Sequence, residues 1–222
     1  MAYQRNRRNE MEVDLHIHSH HSNDSRSKTQ LIIDRAISIG LGAIAVTDHN
    51  SWEGAREAAR LANGRILIIP GAEIKTDQGD VVAIFVEDEI RSRKYLDVLD
   101  EIRSQGGVSI VPHPGDSPNI SPEDVAKADG LEVFNSTCLR KSNEYAAKLA
   151  VDLKKPGFAS SDAHMVVEVG NGRTRVADCS SLDDLRKVIL QNPVPSRMES
   201  SNIVLHRINE AFNFGTKGLW RR

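Results

Sequence analysis

The sequence has little cysteine, few aromatic residues and no long hydrophobic run. Its two cysteines, Cys138 and Cys179, lie far apart in 222 residues, which excludes a disulfide framework or a thiolate zinc site and fits a reducing cytoplasm. No apolar run approaches the length of a membrane-spanning helix. The net charge of −2 argues against broad electrostatic binding to nucleic acid. We therefore expect a cytoplasmic globular protein that does not enter the membrane.

The length of the chain predicts one domain of moderate size. Residues 1–10 are expected to form a flexible basic leader, because no apolar segment of a signal peptide follows the arginines. Residues 11–195 are expected to form the main globular domain, which carries the motifs described below. Residues 196–222 are expected to form a helical tail that packs on or near this domain, with His206 at the surface. The apolar tail residues available for docking are Phe212, Phe214, Leu219 and Trp220.

Strand and helix patterns alternate along the chain. Strand patterns occupy residues 12–18, 43–47, 66–70, 81–86, 108–111, 131–134, 158–161 and 173–177. Helix patterns occupy residues 28–39, 52–62, 91–104, 143–154 and 182–190, with a further helix start at Ser121. The strands at 66–70 and 81–86 predict a hairpin, the one interruption of the alternation. The rest predicts a parallel α/β sheet with right-handed crossovers.

Histidines are concentrated in one segment of the sequence, because four of the eight lie between Asp14 and Ser22. Side chains alternate along the strand 12–18, so His16 and His18 project from the same face. Two imidazoles side by side at a strand end form a geometry that binds a metal ion. A His-x-His pair alone is weak evidence, because roughly 0.3 such pairs per chain arise by chance at this histidine content.

Later segments repeat the arrangement of a short apolar strand followed by a polar side chain. These segments are Thr47-Asp48-His49, Gly71-Ala72-Glu73, Val111-Pro112-His113-Pro114 and Ser161-Asp162-Ala163-His164. In a closed parallel barrel, functional residues lie at the C-terminal ends of the strands, where all these clusters fall. An open doubly wound sheet would gather ligands at one switch point rather than from most strands, so the barrel is favoured.

In their order and composition, these motifs resemble those of the polymerase and histidinol phosphatase (PHP) family of metal-dependent phosphoesterases, in its small stand-alone form. The resemblance runs from Asp14 to about Thr174. It implies a distorted (β/α)₇ TIM-like barrel that carries two or three divalent metal ions. A mixed shell of imidazoles and carboxylates suits zinc, manganese or iron better than calcium or magnesium alone.

The resemblance also implies a ligand set. One ion would be held by His16, His18, Glu73 and Asp162. A second would be bridged by Glu73 and bound by His113, and a third would be held by Asp24, His49 and His164. The family often supplies another histidine before the His-Pro motif, but none occurs between His49 and His113, and Asp80 is the best local substitute. The candidate catalytic residues are Asp162, His113 and Glu73.

Other polar residues near these motifs are candidates for supporting roles. An arginine fork matches phosphate oxygens, and arginines follow three of the strand-end motifs. The candidates for substrate binding are Arg26, Asn135, Arg140 and Arg173. His20 and His21 are expected in a loop or pocket wall, and Asp48 is expected to orient a neighbouring ligand rather than bind metal.

The leading hypothesis is a hydrolase that cleaves a phosphoester of a nucleotide or other small phosphorylated metabolite with a metal-activated hydroxide. One alternative is an exonuclease-type phosphodiesterase that acts on oligonucleotide ends, since the tail carries Lys217, Trp220, Arg221 and Arg222. Hydrolysis of amides or lactones is a second alternative, because ligands alone do not define the substrate. A metal-stabilised binding module without activity is the third.

Overall fold

A computed structural model describes residues 9–117, 119–202, 204 and 206–209. The strands are β1 (Glu10–Asp14), β2 (Ala43–Ala45), β3 (Leu67–Ile69), β4 (Gly71–Lys75), β5 (Asp80–Ile84), β6 (Val108–Val111), β7 (Gly130–Asn135), β8 (Gly157–Ser160), β9 (Gly172–Ala177) and β10 (Val194–Met198). The α-helices are α1 (Thr29–Ser38), α2 (Glu53–Ala62), α3 (Tyr95–Ser104), α4 (Pro122–Val125), α5 (Arg140–Leu153) and α6 (Leu182–Val188).

The strands form two mixed sheets of five strands, in the orders β10-β9-β1-β2-β3 and β4-β5-β6-β7-β8. The α/β class is confirmed. In the first sheet β1, β2 and β3 run parallel, whereas β9 runs antiparallel to both β1 and β10. In the second sheet β6, β7 and β8 run parallel, and β5 runs against β4 and β6. The expectation of a single antiparallel interruption is therefore wrong.

The predicted hairpin exists, but its first strand lies further along the chain. Residues 71–75 pair with residues 80–84, whereas residues 67–69 pair in parallel with β2. The apolar run before Glu73 thus contains two strands in two different sheets. Gly71 begins the second of them, and a Cβ there would lie 2.2 Å from the carbonyl oxygen of Ala83. Only glycine allows this close approach of the two strands.

Two isolated bridges join the sheets at the strand ends. Ile17 pairs with Ala163 beyond β1 and β8, and His49 pairs with Glu73 beyond β2 and at β4. The interior between the sheets is apolar, and residues from both sheets form one buried cluster that includes Leu15, Ile69, Ile84, Ile110 and Phe158. Apolar side chains occupy this core, and the polar side chains from the strand ends lie at one end of it.

Residues 194–198 form strand β10, whereas a helical tail was expected from residue 196. β10 pairs with β9 across residues 194–198, so the sheet continues past the expected domain boundary at residue 195. The docking residues expected in the tail, and residues 1–8 of the expected leader, lie outside the described residues. Among the helices that the structure describes, none combines the length and the apolar character needed to cross a membrane.

Candidate metal centre

The side chains predicted at the strand ends converge on one buried cluster. His16 and His18 follow β1, His49 follows β2, and Glu73 lies within β4. His113 follows β6, and Asp162 and His164 follow β8. The structure therefore brings together donors from five strands that lie up to 148 residues apart, from His16 to His164. Parallel strands place their carboxyl ends at the same edge, which explains the convergence.

The tightest group contains His16, His18, Glu73 and Asp162. The two Nε2 atoms of His16 and His18 lie 3.0 Å apart. The Nε2 atom of His16 lies 3.3 Å from Oε2 of Glu73 and 3.4 Å from Oδ1 of Asp162. The Nε2 atom of His18 lies 3.4 Å and 3.2 Å from the same two oxygens. A tetrahedron with metal–ligand bonds of about 2.1 Å has edges of about 3.4 Å, so these spacings fit one ion.

Asp24, His49 and His164 form a second group beside His18, and one donor atom from each of these four residues lies within 4.8 Å of the others. Nε2 of His49 lies 2.9 Å from Oδ2 of Asp24, and Nε2 of His164 lies 3.5 Å from the same oxygen. The other ring nitrogen of His49 lies 2.9 Å from Oε2 of Glu73. His49 thus connects the two groups.

Glu73, Asp80 and His113 form a third group. Nε2 of His113 lies 3.4 Å from Oε1 of Glu73. Burial, followed by the charge of Glu73, raises the pKa of Asp80 above its ordinary value. A carboxylate that approaches another carboxylate needs a cation to compensate the charge, and Asp80 occupies the position expected for a substitute ligand.

Three of the histidines use Nδ1 for a hydrogen bond and turn Nε2 toward the cluster. Nδ1 of His16 lies 3.0 Å from Oε1 of Glu132, and Nδ1 of His18 lies 3.1 Å from the hydroxyl of Ser22. Nδ1 of His164 lies 3.0 Å from the carbonyl oxygen of Asp162. Metal-binding imidazoles are held in this way, because the second nitrogen fixes the tautomer and the ring orientation.

Glu132 is a residue of the site that the sequence motifs did not indicate. This buried carboxylate faces His16, accepts the backbone N–H of His113 at 3.0 Å and accepts the amide of Asn135 at 2.9 Å. The available signal was a charged residue inside the apolar strand Leu131–Phe134, since such a residue needs partners. Nothing in the local pattern identifies His16, 116 residues away, as that partner.

Asn135 supports a ligand in addition to Glu132. Its amide donates to Oδ2 of Asp162 at 3.1 Å, and the hydroxyl of Thr137 donates to the same oxygen at 3.0 Å. These two donors leave Oδ1 of Asp162 directed at the two histidines after β1. Asn135 therefore positions Asp162, and its contact with substrate stays a prediction.

Two members of the cluster have left-handed backbone conformations, with φ of 32° at His113 and 50° at Asp162. Residues other than glycine rarely adopt such φ angles, and each such residue costs of order 1–3 kcal/mol of conformational energy. The neighbouring contacts stabilise these conformations, because Glu132 accepts the His113 N–H. Conformational strain of this kind clusters at functional sites.

The histidines and carboxylates of the cluster shift one another's pKa values. Burial opposes the charged form of every group, yet the carboxylates of Asp162, Glu73 and Glu132 raise the pKa of His16 well above its ordinary value. In the same way, against the opposing effect of burial, Glu73 and Asp24 raise the pKa of His49 to about 11. Conversely, the histidines lower the pKa of Glu73 and of Asp162 despite their burial. Carboxylates therefore stay ionised within the core.

The donor set fits divalent ions. Both carboxylate oxygens of Glu73 are buried, and among the described residues neither has a hydrogen bond of acceptable geometry, although four imidazoles lie 2.9–3.4 Å away. A buried carboxylate without hydrogen bonds is expensive unless a cation compensates it. The nitrogens that face this carboxylate, Nε2 of His16, His18 and His113 and Nδ1 of His49, become metal ligands once any proton on them is displaced.

Metal binding to this cluster is expected to release protons. The carboxylates raise the pKa of His113 to about 9 against the opposing effect of burial, and they raise that of His49 to about 11. At neutral pH these rings carry protons that an ion must displace, so affinity should rise about tenfold per pH unit for each proton displaced. Calorimetric zinc titrations in buffers of different ionisation enthalpy count the protons. Affinity that is constant or falls from about pH 6 to about pH 8 would contradict this expectation.

The contacts described for Arg173 and Arg140 are with residues other than the donors of the cluster. Arg173 donates to Oε2 of Glu12 at 3.0 Å and to the carbonyl oxygen of Gly170 at 2.7 Å. Arg140 is 90% exposed and pairs with Glu144 at the start of α5. Arg26 is exposed in the loop after the first cluster. Arg173 thus forms an ion pair with Glu12 of β1, and its role in phosphate binding stays a prediction.

His206 is buried, which makes its expected surface position wrong. Its Nδ1 lies 2.9 Å from Oε1 of Glu168, and its ring meets the ring of His164 edge-on at 4.9 Å. Glu168 also accepts the backbone N–H of His164 at 3.0 Å. The described part of the tail thus supports a member of the cluster, a contact that depends on tertiary structure alone.

A two-sheet α/β fold with imidazole and carboxylate donors gathered at its strand ends defines a protein with a candidate metal centre. The sequence model of the PHP domain matches residues 14–160, and that of a PHP-associated region matches residues 140–193. The chain therefore belongs to the PHP domain family, which confirms the resemblance, and it is a metal-dependent phosphoesterase.

Individual proteins are similar to this chain in sequence or in fold. The uncharacterized protein MJ1587 of Methanocaldococcus jannaschii is 30% identical over 125 residues, which cover 51% of this chain and 69% of that protein. A two-domain protein from Bacteroides vulgatus, containing a predicted PHP-like metal-dependent phosphoesterase, has a TM-score of 0.72 at 23% identity, over 90% of this chain and 70% of the other. The lesion-specific endonuclease PfuEndoQ of Pyrococcus furiosus has a TM-score of 0.62 at 18% identity, over 84% and 57%.

Proposed function

We propose that this protein hydrolyses a phosphomonoester of a nucleotide or of another small phosphorylated metabolite in the cytoplasm. The observation that carries the proposal is the position of Glu73, whose buried carboxylate lies among four imidazoles without a hydrogen bond of its own among the described residues. Such a carboxylate is suited to bridge two cations, and paired cations are suited to a phosphoryl group.

Two or three ions of zinc, manganese or iron would occupy the cluster. The first would be held by His16, His18, Glu73 and Asp162, the second by Glu73, His113 and Asp80, and the third by Asp24, His49 and His164. When bound, such ions act as Lewis acids on phosphoryl oxygens and lower the pKa of water. The mixed nitrogen and oxygen donors favour these transition metals over calcium or magnesium alone.

The residues around the ions have separate tasks in this proposal. Glu132 and Ser22 hold the rings of His16 and His18, and Asn135 holds Asp162, so the charges are in place before substrate arrives. His49 and His113 are accessible members of the cluster, with side chains 34% and 18% exposed. The phosphate would enter from that side. Asp162, His113 and Glu73 are the proposed catalytic residues.

We also propose that the two sheets close into the distorted (β/α)₇ TIM-like barrel expected for the family. The bridges Ile17–Ala163 and His49–Glu73 connect the sheets at both junctions. The hydroxyl of Thr174 in β9 bonds both the N–H and the carbonyl oxygen of Ala159 in β8. Closure of this kind removes exposed sheet edges and directs the strand ends toward one opening.

Cleavage of oligonucleotide ends is the second candidate function. Its support is the fold shared with a protein described as an endonuclease. The charge balance favours the small substrate, because the chain carries 29 basic and 31 acidic residues and has no excess of positive charge to track a phosphate backbone. A binding module without activity is less favoured, since the donor set of the cluster is nearly complete, with Asp80 in place of the missing histidine.

A substrate panel separates these functions. Metal-loaded full-length protein is assayed on nucleoside monophosphates, sugar phosphates, a dinucleotide and a short RNA, with metal content measured on the same sample. We expect release of inorganic phosphate from the monoesters, with a rate that changes less than about threefold between 50 and 200 mM salt. Preference for the RNA with a loss of at least about tenfold over that salt range would replace the proposal with the exonuclease. Absence of turnover on every ester would overturn the proposal and leave amide or lactone hydrolysis and the binding module, which an amide and lactone panel would then separate.

A further inference from the structure

A second group of nitrogen and oxygen donors lies outside the catalytic cluster, on the loop after His18. Nε2 of His21 lies 3.2 Å from Oε2 of Glu57, and Nε2 of His20 lies 3.8 Å from the same oxygen. The two imidazole rings have centroids 4.2 Å apart. One donor atom from each residue lies within 4.8 Å of the other two. These spacings are near the edge of about 3.4 Å that a tetrahedral zinc site requires.

The backbone that carries the two histidines is fixed. Asp48 accepts the backbone N–H and the hydroxyl of Ser19, both at 2.7 Å. The N–H of His20 donates to the carbonyl oxygen of Ser27 at 2.9 Å, and the N–H of His21 donates to the Ser19 hydroxyl at 3.2 Å. A ligand that binds to a fixed loop loses less conformational entropy than one that must order it.

Helix α2 is placed so that Glu57 faces this loop. A Cβ at Gly54 would lie 1.8 Å from Oδ2 of Asp48 and 2.6 Å from the Ser19 hydroxyl, so only glycine lets the helix lie this close. Residues three apart share a helix face, and Glu57 is therefore directed at the same loop. The absence of a side chain at residue 54 brings the carboxylate to the histidines.

The carboxylate of Glu57 is ionised and accessible. The hydroxyl of Thr29 donates a hydrogen bond to it, and this bond, with smaller contributions from His21 and His20, lowers the pKa of Glu57. The side chains of His20, His21 and Glu57 are 42%, 28% and 28% exposed. Solvent thus reaches the group from outside, and an ion there would have coordination positions left for water or an anion.

We propose that His20, His21 and Glu57 bind an additional divalent ion of the zinc type, at a site separate from the catalytic cluster. Two imidazoles and one carboxylate form a ligand set that suits zinc and its transition-metal neighbours. None of the three side chains belongs to the catalytic donor set. The site lies on the loop that also supplies Ser22 to His18, so its ion would sit at the rim of the catalytic opening.

The test is a zinc titration of the full-length protein against a competing chelator, with bound zinc counted by elemental analysis. We expect Glu57→Gln and His21→Gln each to bind one ion fewer than the natural sequence, or to bind the weakest ion at least about tenfold more weakly. The tighter ions should be retained, and phosphoesterase turnover at limiting zinc should be unchanged. Glu53→Gln, an exposed position one turn earlier in α2, is the matched control and should bind the same number of ions as the natural sequence.

Equal zinc stoichiometry and affinity in the natural sequence, Glu57→Gln and His21→Gln would overturn the proposal. Loss of the tight ions together with the weak one would also overturn it, because the site would then not be separate. Circular dichroism and a thermal melt verify that each variant is folded. His20→Gln supplies a third, independent removal of a ligand if either of the other variants fails to fold.

Discussion

Replacing Glu73 with glutamine is expected to lower phosphoesterase turnover at least about 10³-fold. The carboxylate would bridge two ions, and an amide oxygen has neither the charge nor a second equivalent oxygen to do so. Stabilisation of transition-state charge by metal ions contributes several kcal/mol, which corresponds to a rate factor of this size. Steady-state rates and metal content, measured on the same preparation, check the expectation. Asp162→Asn is expected to act in the same direction through the first ion.

The control for this substitution is Glu144→Gln, which removes an exposed carboxylate that pairs with Arg140 on α5. This variant should keep its activity and its metal content, because surface ion pairs contribute little to stability. Because the neighbouring histidines lower the pKa of Glu73, its charge stabilises the metal-free fold at neutral pH, so the metal-free variant should melt below the metal-free natural sequence. Turnover within threefold of the natural sequence in Glu73→Gln or Asp162→Asn would assign the activity to another site.

Replacing Glu132 with alanine is expected to weaken the binding of the first metal ion about 10- to 100-fold. The substitution removes the partner of Nδ1 of His16, at 3.0 Å, and the acceptor of the His113 N–H, also at 3.0 Å. His16 then loses its fixed tautomer, and the strained backbone at His113 loses its hydrogen bond. Competition with a chromogenic chelator measures the affinity, and Glu132→Gln, which retains one acceptor oxygen, should fall between the alanine variant and the natural sequence.

Val133→Ala separates this effect from a general loss of stability. Val133 is the next residue of β7, and its side chain packs against a second buried apolar cluster, which includes Leu131 and Leu149. Its truncation should lower the free energy of unfolding by about 1–2 kcal/mol and leave metal affinity within about twofold. Equal metal affinities for Glu132→Ala and Val133→Ala would show that Glu132 does not position the ligands.

Local patterns predicted much of the donor set. Alternation along the first strand placed His16 and His18 on one face, and the apolar runs before His49 and His113 marked strands whose ends meet. The hairpin was predicted with the wrong first strand, because Pro70 and Gly71 divide one apolar run between two sheets. Apolar runs report burial, whereas pairing partners depend on register with distant strands.

The contacts around the donors could not be predicted in this way. Asp14 accepts the N–H groups of Ser161 and Gly170, 147 and 156 residues away, and thereby fixes the end of β8 against β1. Arg173 had the residue type of a phosphate clamp, but the structure pairs it with Glu12. The direction of a side chain follows from the strand that carries it. The identity of its partner depends on how the two sheets pack against each other.

By itself, the sequence determined the α/β class, the order of the strand-end histidines and carboxylates, and the family they indicate. Periodicity and short motifs carry this information, because side-chain direction in a strand follows from the backbone. The tertiary structure alone decided which carboxylate holds which imidazole, that Asn135 donates a hydrogen bond to Asp162, and that His206 is buried beside His164. It also brought Glu57 to His20 and His21. These outcomes depend on the packing of elements far apart in the chain, and no local propensity specifies that packing.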